Sequence, residues 1–224
     1  MPITRRVFLP AAAGAILAGT HALAQEGGHS AMPEGFAQMS VRDALARRES
    51  IRLYADRAIE DDQLMALLWS ANGVNRPEVD GRTAPSWRTA RDTEIYLARA
   101  SGIDRFDAAA AALVRVSDAD IRSATSPQPF VGRAPLVLIY VSERSRVLRA
   151  AGLEEGAFGS ETEDHRIAAH VDAAVVAQNV YLFCAAEGLG TCLVGGADRD
   201  AIAAALGLSE GQRVTYVQPV GHPG

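Results

Sequence analysis

One uninterrupted stretch constrains the fold more than any other part of the chain. Residues 164–187 contain neither proline nor glycine, and Gly188 follows them directly. A stretch of this length predicts a single helix of about seven turns. From Ala173 to Ala186 it is apolar on nearly every side, broken only by Gln178 and Asn179. Such a helix belongs in the middle of a domain or at a subunit interface, because all of its faces need cover.

The remaining elements mix helices and strands without a regular strand–helix alternation. Capping residues and apolar spacing predict three helices, capped by Ser40, by Asp61 or Asp62, and by Asp198, and a short helix with a loop over residues 144–160. Period-two patterns predict strands at residues 93–99, 103–106, 113–116, 191–194 and 214–220. The apolar run 136–141, with three β-branched residues, predicts a strand buried on both faces. This order predicts the α+β class rather than a doubly wound sheet.

Composition excludes several kinds of function. With 224 residues, 48% hydrophobic and 22% charged, the chain has room for one sizeable core. All 22 basic residues are arginine, so lysine-dependent Schiff-base chemistry and a P-loop are excluded. A formal charge of −5 without a basic block argues against a nucleic-acid partner.

The N-terminal 24 residues have the three parts of a signal peptide. A charged start at Thr4–Leu9 precedes a small apolar run, Ala11–Ala18, and an A-x-A cleavage site at Ala22–Ala24. The paired arginines followed by Phe8 resemble a twin-arginine export signal. The alternative is a membrane anchor, for which the run is short and rich in alanine and glycine. We therefore expect a periplasmic protein with a flexible leader over residues 25–39 and one domain over residues 40–224; cleavage moves the formal charge from −5 to −7.

An arginine cluster follows the first short helix. In an extended segment, alternation places Arg48, Ser50 and Arg52 on one face and Glu49 and Ile51 on the other. Guanidinium groups match phosphate oxygens in pairs, so this face is a candidate anion clamp. The alternative is a charged helix end that only complements the helix dipole.

A glycine-rich segment, residues 188–196, is the second candidate site. It is not a dinucleotide fingerprint, because Leu193 occupies a required glycine position and the glycines follow a helix. Thin backbone here lets a flat ligand approach closely. The alternative is a helix stop at Gly188 and a tight turn at Gly195 and Gly196.

Taken in order, these segments resemble the nitroreductase family of flavoproteins, from about Ser40 to Pro223. The matching features are R-x-S-x-R after the first helix, Pro85-Ser86 in a loop before a strand, the long apolar helix and G-L-G-T-C-x-x-G-G. The resemblance implies a nitroreductase-like fold with a central mixed or antiparallel sheet, flanking helices and a long buried central helix. It also implies FMN as cofactor and a homodimer with the flavin at its interface.

The resemblance also assigns roles to residues. It implies that Arg48, Ser50 and Arg52 hold the FMN phosphate and ribityl chain. Pro85 and Ser86 match the loop that contacts the flavin from the opposite side. The last matching segment passes the pyrimidine and N5 edge of the ring, and its residues are Leu193, Val194, Gly195 and Gly196.

Two departures from the family pattern concern the same site. Thr89 and Arg91 stand where the family has asparagine and glutamine. The sequence given ends at Gly224, whereas most members continue into a basic tail that completes the phosphate site. We therefore expect the clamp to rely on its own arginines or to borrow from Arg47, Arg88 and Arg91.

The function implied by the resemblance is an FMN-dependent oxidoreductase with ping-pong transfer through flavin N5 and no catalytic acid or base side chain. The substrate is expected to be a small organic molecule: a nitroaromatic, a quinone, or one dehydrogenated as in the SagB-type branch, which residues 82–86 resemble. After export, a quinol or a redox protein is the expected electron donor rather than NAD(P)H. A degenerate flavin or ligand binder without turnover, and a structural domain with an empty pocket, remain alternatives.

Cysteine and histidine suggest no further site. Cys184 and Cys192 are the only cysteines, and we expect two buried thiols, although export permits a disulfide. His165 and His170 lie five residues apart, on different helix faces. No metal site is predicted.

Overall fold

The structure is a computed structural model, and it describes residues 38–154 and 156–224. The predicted export signal and nearly all of the predicted leader lie outside these residues.

The described residues form six α-helices. Ser40 caps the first, since its side chain accepts a hydrogen bond from the Asp43 N–H, and Asp198 caps the last in the same way. Glycines in the left-handed conformation follow two helices, at Gly188 and Gly207. The helices are α1 (Val41–Arg47), α2 (Asp61–Asn72), α3 (Pro129–Arg133), α4 (Arg144–Ala150), α5 (Glu163–Glu187) and α6 (Arg199–Leu206).

Eight strands form two sheets among the same residues. They are β1 (Val74–Arg76), β2 (Gly81–Arg82), β3 (Thr93–Arg99), β4 (Gly102–Asp107), β5 (Ala112–Ser117), β6 (Leu136–Glu143), β7 (Gly190–Thr191) and β8 (Gln212–Gly221). The main sheet has the order β5-β4-β3-β6-β8-β7, and every neighbouring pair in it is antiparallel. Of the two sheet types expected, the antiparallel one is therefore present.

The central strand β6 separates two hydrophobic cores. Its residues from Leu136 to Ser142 are all buried, as the continuous apolar run predicts. Leu138 and Tyr140 face the core shared with α2 and α5. Val137 and Ile139 face the second core, which contains Val131 of α3, Ile202 of α6 and Val217 of β8. Helices thus cover both faces of the sheet.

Helix α5 is the central helix, but part of its surface is exposed to solvent. Ala173, Val180 and Phe183 are buried against α2 and the sheet, whereas Ile167 and Val171 are about half exposed. By length and composition α5 is also the one helix in the described residues that could cross a membrane, and half of its most apolar window is buried within the fold. Because this much of it packs in the core, α5 is the core helix of the domain.

The loop predicted over residues 75–89 has more structure than its polar sequence suggests. It contains β1, β2 and two single turns of 3-10 helix, Pro77–Val79 and Trp87–Thr89. The strand predicted at residues 191–194 is shorter: β7 ends at Thr191, and Val194 forms an isolated bridge with Val217.

Candidate cofactor-binding site

The arginine segment runs alongside the glycine segment. The Ile51 N–H donates to the Thr191 carbonyl at 2.9 Å, which ties the extended residues after α1 to β7. Gly190 makes this approach possible, because a Cβ there would lie 2.7 Å from Ile51 Cγ2. The two candidate segments are therefore held together by one hydrogen bond and one glycine.

The two faces of the arginine segment differ as alternation predicts. Glu49 and Ile51 line a cavity of about 240 Å³ together with Gly188 and Leu189. On the opposite face, Ser50 Oγ lies 2.9 Å from the Tyr181 hydroxyl. Glu49 and Ile51 thus line the cavity, whereas Ser50 contacts the Tyr181 hydroxyl.

Tyr181 of α5 connects the candidate segments, and the sequence did not single it out. Its hydroxyl contacts Ser50 Oγ and accepts a hydrogen bond from the Leu193 N–H at 2.8 Å. The Arg48 guanidinium lies 5.5 Å from the centre of its ring. A phenol two residues after Asn179, in an otherwise apolar run, was the signal available in the sequence. A buried tyrosine hydroxyl usually finds polar partners.

Both clamp arginines are free to bind an anion. Within the described residues neither Arg48 nor Arg52 forms an ion pair with a carboxylate. Arg52 donates weakly to the Ser50 carbonyl at 3.5 Å and lies 6.0 Å from the Phe130 ring centre. Arg47 ends α1 beside them and lines the 240 Å³ cavity. Two unpaired guanidinium groups flanking a hydroxyl are suited to an oxyanion.

Among the described residues 193–196, the two glycines have backbone N–H groups without an acceptor. The Leu193 N–H is bonded to Tyr181, and the Val194 N–H donates to the Val217 carbonyl at 2.8 Å. The N–H groups of Gly195 and Gly196 have no acceptor in the part of the chain that the structure describes. Hydrogen bonds from Leu193 and Val194 N–H groups to a ligand are therefore not available in this arrangement.

Backbone conformation does not explain why residue 195 is a glycine. Its φ is outside the left-handed region, and a Cβ there would meet no atom within 4 Å. The tight turn considered from the sequence therefore does not explain it. An exposed glycine with a free N–H beside an anion clamp is the arrangement that close approach of a flat ligand requires.

Pro85 and Ser86 lie at a different place along α5. The Trp87 N–H, one residue on, donates to both carboxylate oxygens of Asp172 at 2.9 Å. Asp172 and Tyr181 are nine residues apart on α5, which is about 13 Å along the helix axis. The structure therefore unites the clamp with residues 193–196 but holds the Pro85-Ser86 loop separately.

Asp172 shares a buried site with a second carboxyl group, Asp92. Ser142 Oγ donates to Asp92 Oδ2 at 2.5 Å, while the buried Asp92 Oδ1 receives no hydrogen bond from a nitrogen or hydroxyl donor among the described residues. Burial, and then the hydrogen bond to Asp172, raises the pKa of Asp92. Burial raises the pKa of Asp172 as well, whereas its hydrogen bonds with Asp92 and with the Trp87 N–H lower it, so Asp92 is the more readily protonated of the two carboxyl groups.

The two departures from the family pattern lie in this loop. Thr89 and Arg91 both have positive φ, at 57° and 51°. The Arg91 side chain donates to the Val79 carbonyl at 2.7 Å and lies 3.7 Å from Asp80. Arg91 and Arg88 thus lie at the Asp172 end of α5, away from the clamp that was expected to borrow them.

Both cysteines are buried free thiols, as expected. Among the described residues no group of three or more histidine, cysteine or acidic side chains could hold a metal ion.

On an antiparallel α+β scaffold, two arginines without ion pairs in the described residues are tied to a glycine segment, an arrangement that could hold a flat ligand with an anionic tail. The sequence model of the nitroreductase family matches residues 45–222. The chain belongs to this family of oxidoreductases, whose members typically bind flavin.

Individual relatives agree in sequence and in fold. A crystal structure described as a putative nitroreductase from Ralstonia eutropha JMP134 is 31% identical, has a TM-score of 0.76 and covers 86% of this chain and 87% of that one. A putative nitroreductase of Methanocaldococcus jannaschii is 28% identical over 70% of this chain and 79% of its own length. The NADPH:FMN oxidoreductase of Vibrio harveyi, solved with NAD+, shares the fold at 18% identity and a TM-score of 0.59, covering 82% of this chain and 68% of that one.

Proposed function

We propose that the protein is an FMN-dependent oxidoreductase that acts on a small organic substrate by a ping-pong mechanism. The observation that carries this proposal is the pair of unpaired guanidinium groups at Arg48 and Arg52, joined through Ser50 and Tyr181 to the glycine segment. The family match and the FMN named for the Vibrio harveyi protein support it.

The residues present fit the cofactor. FMN has a dianionic phosphate at one end, which Arg48 and Arg52 match with forked donors. Its flat ring at the other end needs a thin backbone with donors, and Gly195 and Gly196 provide both. Bound FMN supplies the hydride transfer, and the protein supplies binding, orientation and electrostatics.

The chain's own residues act by binding and orientation. Tyr181 fixes the distance between the clamp and the glycine segment, because its hydroxyl contacts Ser50 and the Leu193 N–H at once. Asp172 fixes the Pro85-Ser86 loop through the Trp87 N–H. Neither residue is assigned a proton-transfer step.

The proposed export to the periplasm bears on the electron donor, and the family resemblance bears on the substrate. We propose that a nitroaromatic, a quinone, or a substrate dehydrogenated as in the SagB-type branch enters on the open face of the ring. The donor outside the cytoplasm is a quinol, a redox protein or the substrate itself.

One observation favours a second candidate, a flavin or ligand binder without turnover. Arg91 replaces an expected glutamine, and its guanidinium is occupied by the Val79 carbonyl and Asp80. It therefore cannot replace the amide contact to a flavin edge. Loss of that contact removes one of the groups that tune the ring electronics.

The visible spectrum of the purified mature domain tests both candidates. A flavin absorbance band is expected, and anaerobic reduction followed by reoxidation with a quinone or nitroaromatic should return the band. A yellow protein that resists reduction indicates the binder. A colourless protein that does not take up added FMN contradicts both candidates. The remaining alternative is then a structural domain with an empty pocket.

Export is proposed from residues 1–24 alone, which lie outside the described residues. Twin-arginine export carries folded proteins, so the cofactor would be loaded before transport. Cell fractionation of the full chain tests this: the protein should be periplasmic, and Arg5→Lys with Arg6→Lys should hold it in the cytoplasm. Cytoplasmic location of the unaltered chain contradicts the proposal.

A homodimer is proposed from the surface next to the clamp. Val41 and Leu45 of α1 are 69% and 54% exposed, and Leu53 beyond the clamp is 65% exposed. Large apolar side chains exposed together mark interaction surfaces. A partner subunit there adjoins both clamp arginines.

A further inference from the structure

A second cluster of arginines lines a cavity at the Asp172 end of α5. The cavity has a volume of about 430 Å³ and lies between the loop of residues 80–91 and helix α4. Five arginines and one acidic residue contribute to its wall: Asp80, Arg82, Arg88, Arg91, Arg146 and Arg149. Neither clamp arginine is among its lining residues, so the cavity is separate from the proposed phosphate site.

The positive charge in this cavity is only partly compensated. Asp80 lies 3.1 Å from Arg82 and 3.7 Å from Arg91. Glu94 pairs with Arg146 at 2.8 Å, but it also faces Arg105 at 3.8 Å. Asp80 and Glu94 are thus each shared between two guanidinium groups, and Arg88 forms no ion pair in the described residues, in a chain whose formal charge is −5. Such a local surplus attracts anions.

Arg82 shows the consequence of this crowding. Burial lowers the pKa of Arg82; Asp80 opposes the shift, and Arg146 and Arg91 add to it. Its Nε is buried and has no acceptor among the described residues. A buried donor without a partner is costly and points to a missing acceptor.

The backbone of the cavity wall is strained. Asp80, Arg88, Thr89 and Arg91 have φ of 48°, 46°, 57° and 51°. In the described residues Ala111 is the only other non-glycine residue with positive φ. Strained non-glycine residues cluster at ligand clamps, where the surrounding structure holds them in place. These strained residues are the ones that line the cavity, and two of the four are arginines.

We propose that this cavity binds a small multivalent oxyanion, a polycarboxylate or a polyphosphate. Arg82 and Arg146 line the cavity while they donate to Asp80, Glu94 and backbone carbonyls. Arg88 forms no ion pair in the described residues, so its forked donors are the ones left for an anion, and the charge of the neighbouring arginines favours a ligand with two or more anionic groups. The site is tied to the Pro85-Ser86 loop, since the Arg91 N–H donates to Ser86 Oγ at 2.9 Å. Ligand bound here therefore restrains the loop expected to contact the flavin.

Calorimetric titration of the purified protein, with citrate and with pyrophosphate in a constant chloride background, tests the proposal. Saturable binding of either anion supports it, and the tighter one identifies the ligand class. Arg88→Gln and Arg146→Gln should each weaken binding roughly tenfold, the value of one charge-assisted hydrogen bond. Arg57→Gln is the control, because Arg57 is exposed and outside the cavity; it should bind like the unaltered protein.

Two measurements distinguish anion binding in this cavity from a loss of folding and from binding at the clamp. Arg88 is exposed, and in the described residues it forms no ion pair and stacks on the Trp87 ring at 4.8 Å. Loss of one exposed contact of this kind is small, so Arg88→Gln should change the thermal unfolding midpoint little. The variants should also keep the same flavin content as the unaltered protein. The proposal is overturned if neither anion binds, if both variants bind like the control, or if the variants lose flavin while anion binding persists.

Discussion

At the residue scale, Arg48 is the side chain whose removal best separates binding from folding. It is half-buried, stacks near the Tyr181 ring and has no carboxylate partner in the described residues. Arg48→Ala should therefore weaken FMN retention by roughly tenfold or more. It should change the free energy of unfolding by less than about 0.5 kcal/mol, as is usual for a position outside the core.

Flavin absorbance after dialysis, compared with urea unfolding of the same samples, measures both effects. Arg57→Ala is the matched control, since Arg57 is exposed a few residues beyond the clamp. If the Arg48→Ala protein remained as yellow as this control, the clamp would not be part of the cofactor site.

Asp92 makes stability depend on pH in a direction opposite to that of most carboxylates. Burial raises its pKa to about 7 from an ordinary 3.8. Between these values the folded protein keeps a proton that the unfolded chain releases. The free energy of unfolding should therefore fall as pH rises from about 4 to about 7, by up to about 1.4 kcal/mol per pH unit, and level off above. Carboxylates with lowered pKa, such as Asp120 and Glu161, act below this range.

Asp92→Asn should flatten this pH dependence, and the raised pKa of Asp172 should leave a smaller part of it. An amide can donate to Asp172 and accept from Ser142 without binding a proton, so the variant should be the more stable protein at pH 8 and show a flatter profile. Urea unfolding at four or five pH values measures the slope. Asp118→Asn is the control, because that carboxylate is 94% exposed. Parallel profiles for Asp92→Asn and the unaltered protein would mean that the carboxyl pair does not share a proton.

At the scale of elements, two glycines in one segment should respond differently to the same substitution. In Gly190→Ala the new Cβ would meet Ile51 at 2.7 Å, and the clamp segment would have to leave β7. We expect a loss of about 1–3 kcal/mol in stability from this overpacking. Gly195→Ala meets no protein atom, so stability should hold while FMN retention falls.

Urea unfolding and flavin absorbance on the two variants test this pair. Each variant is the control for the other. Gly190→Ala creates a clash inside the protein, whereas Gly195→Ala fills only the space proposed for the ligand. Full flavin retention in a stable Gly195→Ala protein would mean that the flavin ring does not bind next to Gly195.

Local sequence predicted most of the elements, because their causes are local. Ser40 and Asp198 cap their helices as expected, and Gly188 ends α5. The cap predicted at Asp61 or Asp62 is wrong, because both residues lie in the first turn of α2, where they complement the helix dipole, and Glu60 is the N-cap. The apolar run of residues 136–141 is the doubly buried strand. The loop of residues 75–89 was underestimated, since β1 and β2 are stabilised by each other and by contacts such as Trp69 Nε1 to the Val74 carbonyl.

The site was less predictable, because its connections join residues far apart in the chain. Tyr181 contacts Ser50 across 131 positions, and Asp172 holds Trp87 across 85. No spacing rule relates such pairs. The clamp itself was predicted because alternation in an extended segment is local, whereas the occupied N–H groups of Leu193 and Val194 depend on tertiary contacts.

At the scale of the whole molecule, the clamp lies beside an uncovered apolar surface. Val41 and Leu45 are one helical turn apart, so both point from the same face of α1, and α1 ends where the clamp begins. Leu53, just beyond the clamp, is also exposed. A protomer alone thus presents the clamp at the edge of a surface that a second copy can cover.

The proposed dimer and the proposed cofactor should therefore be lost together. Leu45→Glu places a charge in the proposed interface and should convert a species of twice the protomer mass into a monomer, because burying an unpaired carboxylate is strongly unfavourable. FMN retention should fall in the same variant. Val116→Glu, a 40% exposed position on β5, is the control and should remain dimeric and yellow. Light scattering with absorbance detection reads mass and flavin in one run, and a Leu45→Glu dimer that keeps its flavin would mean that α1 lies outside the interface.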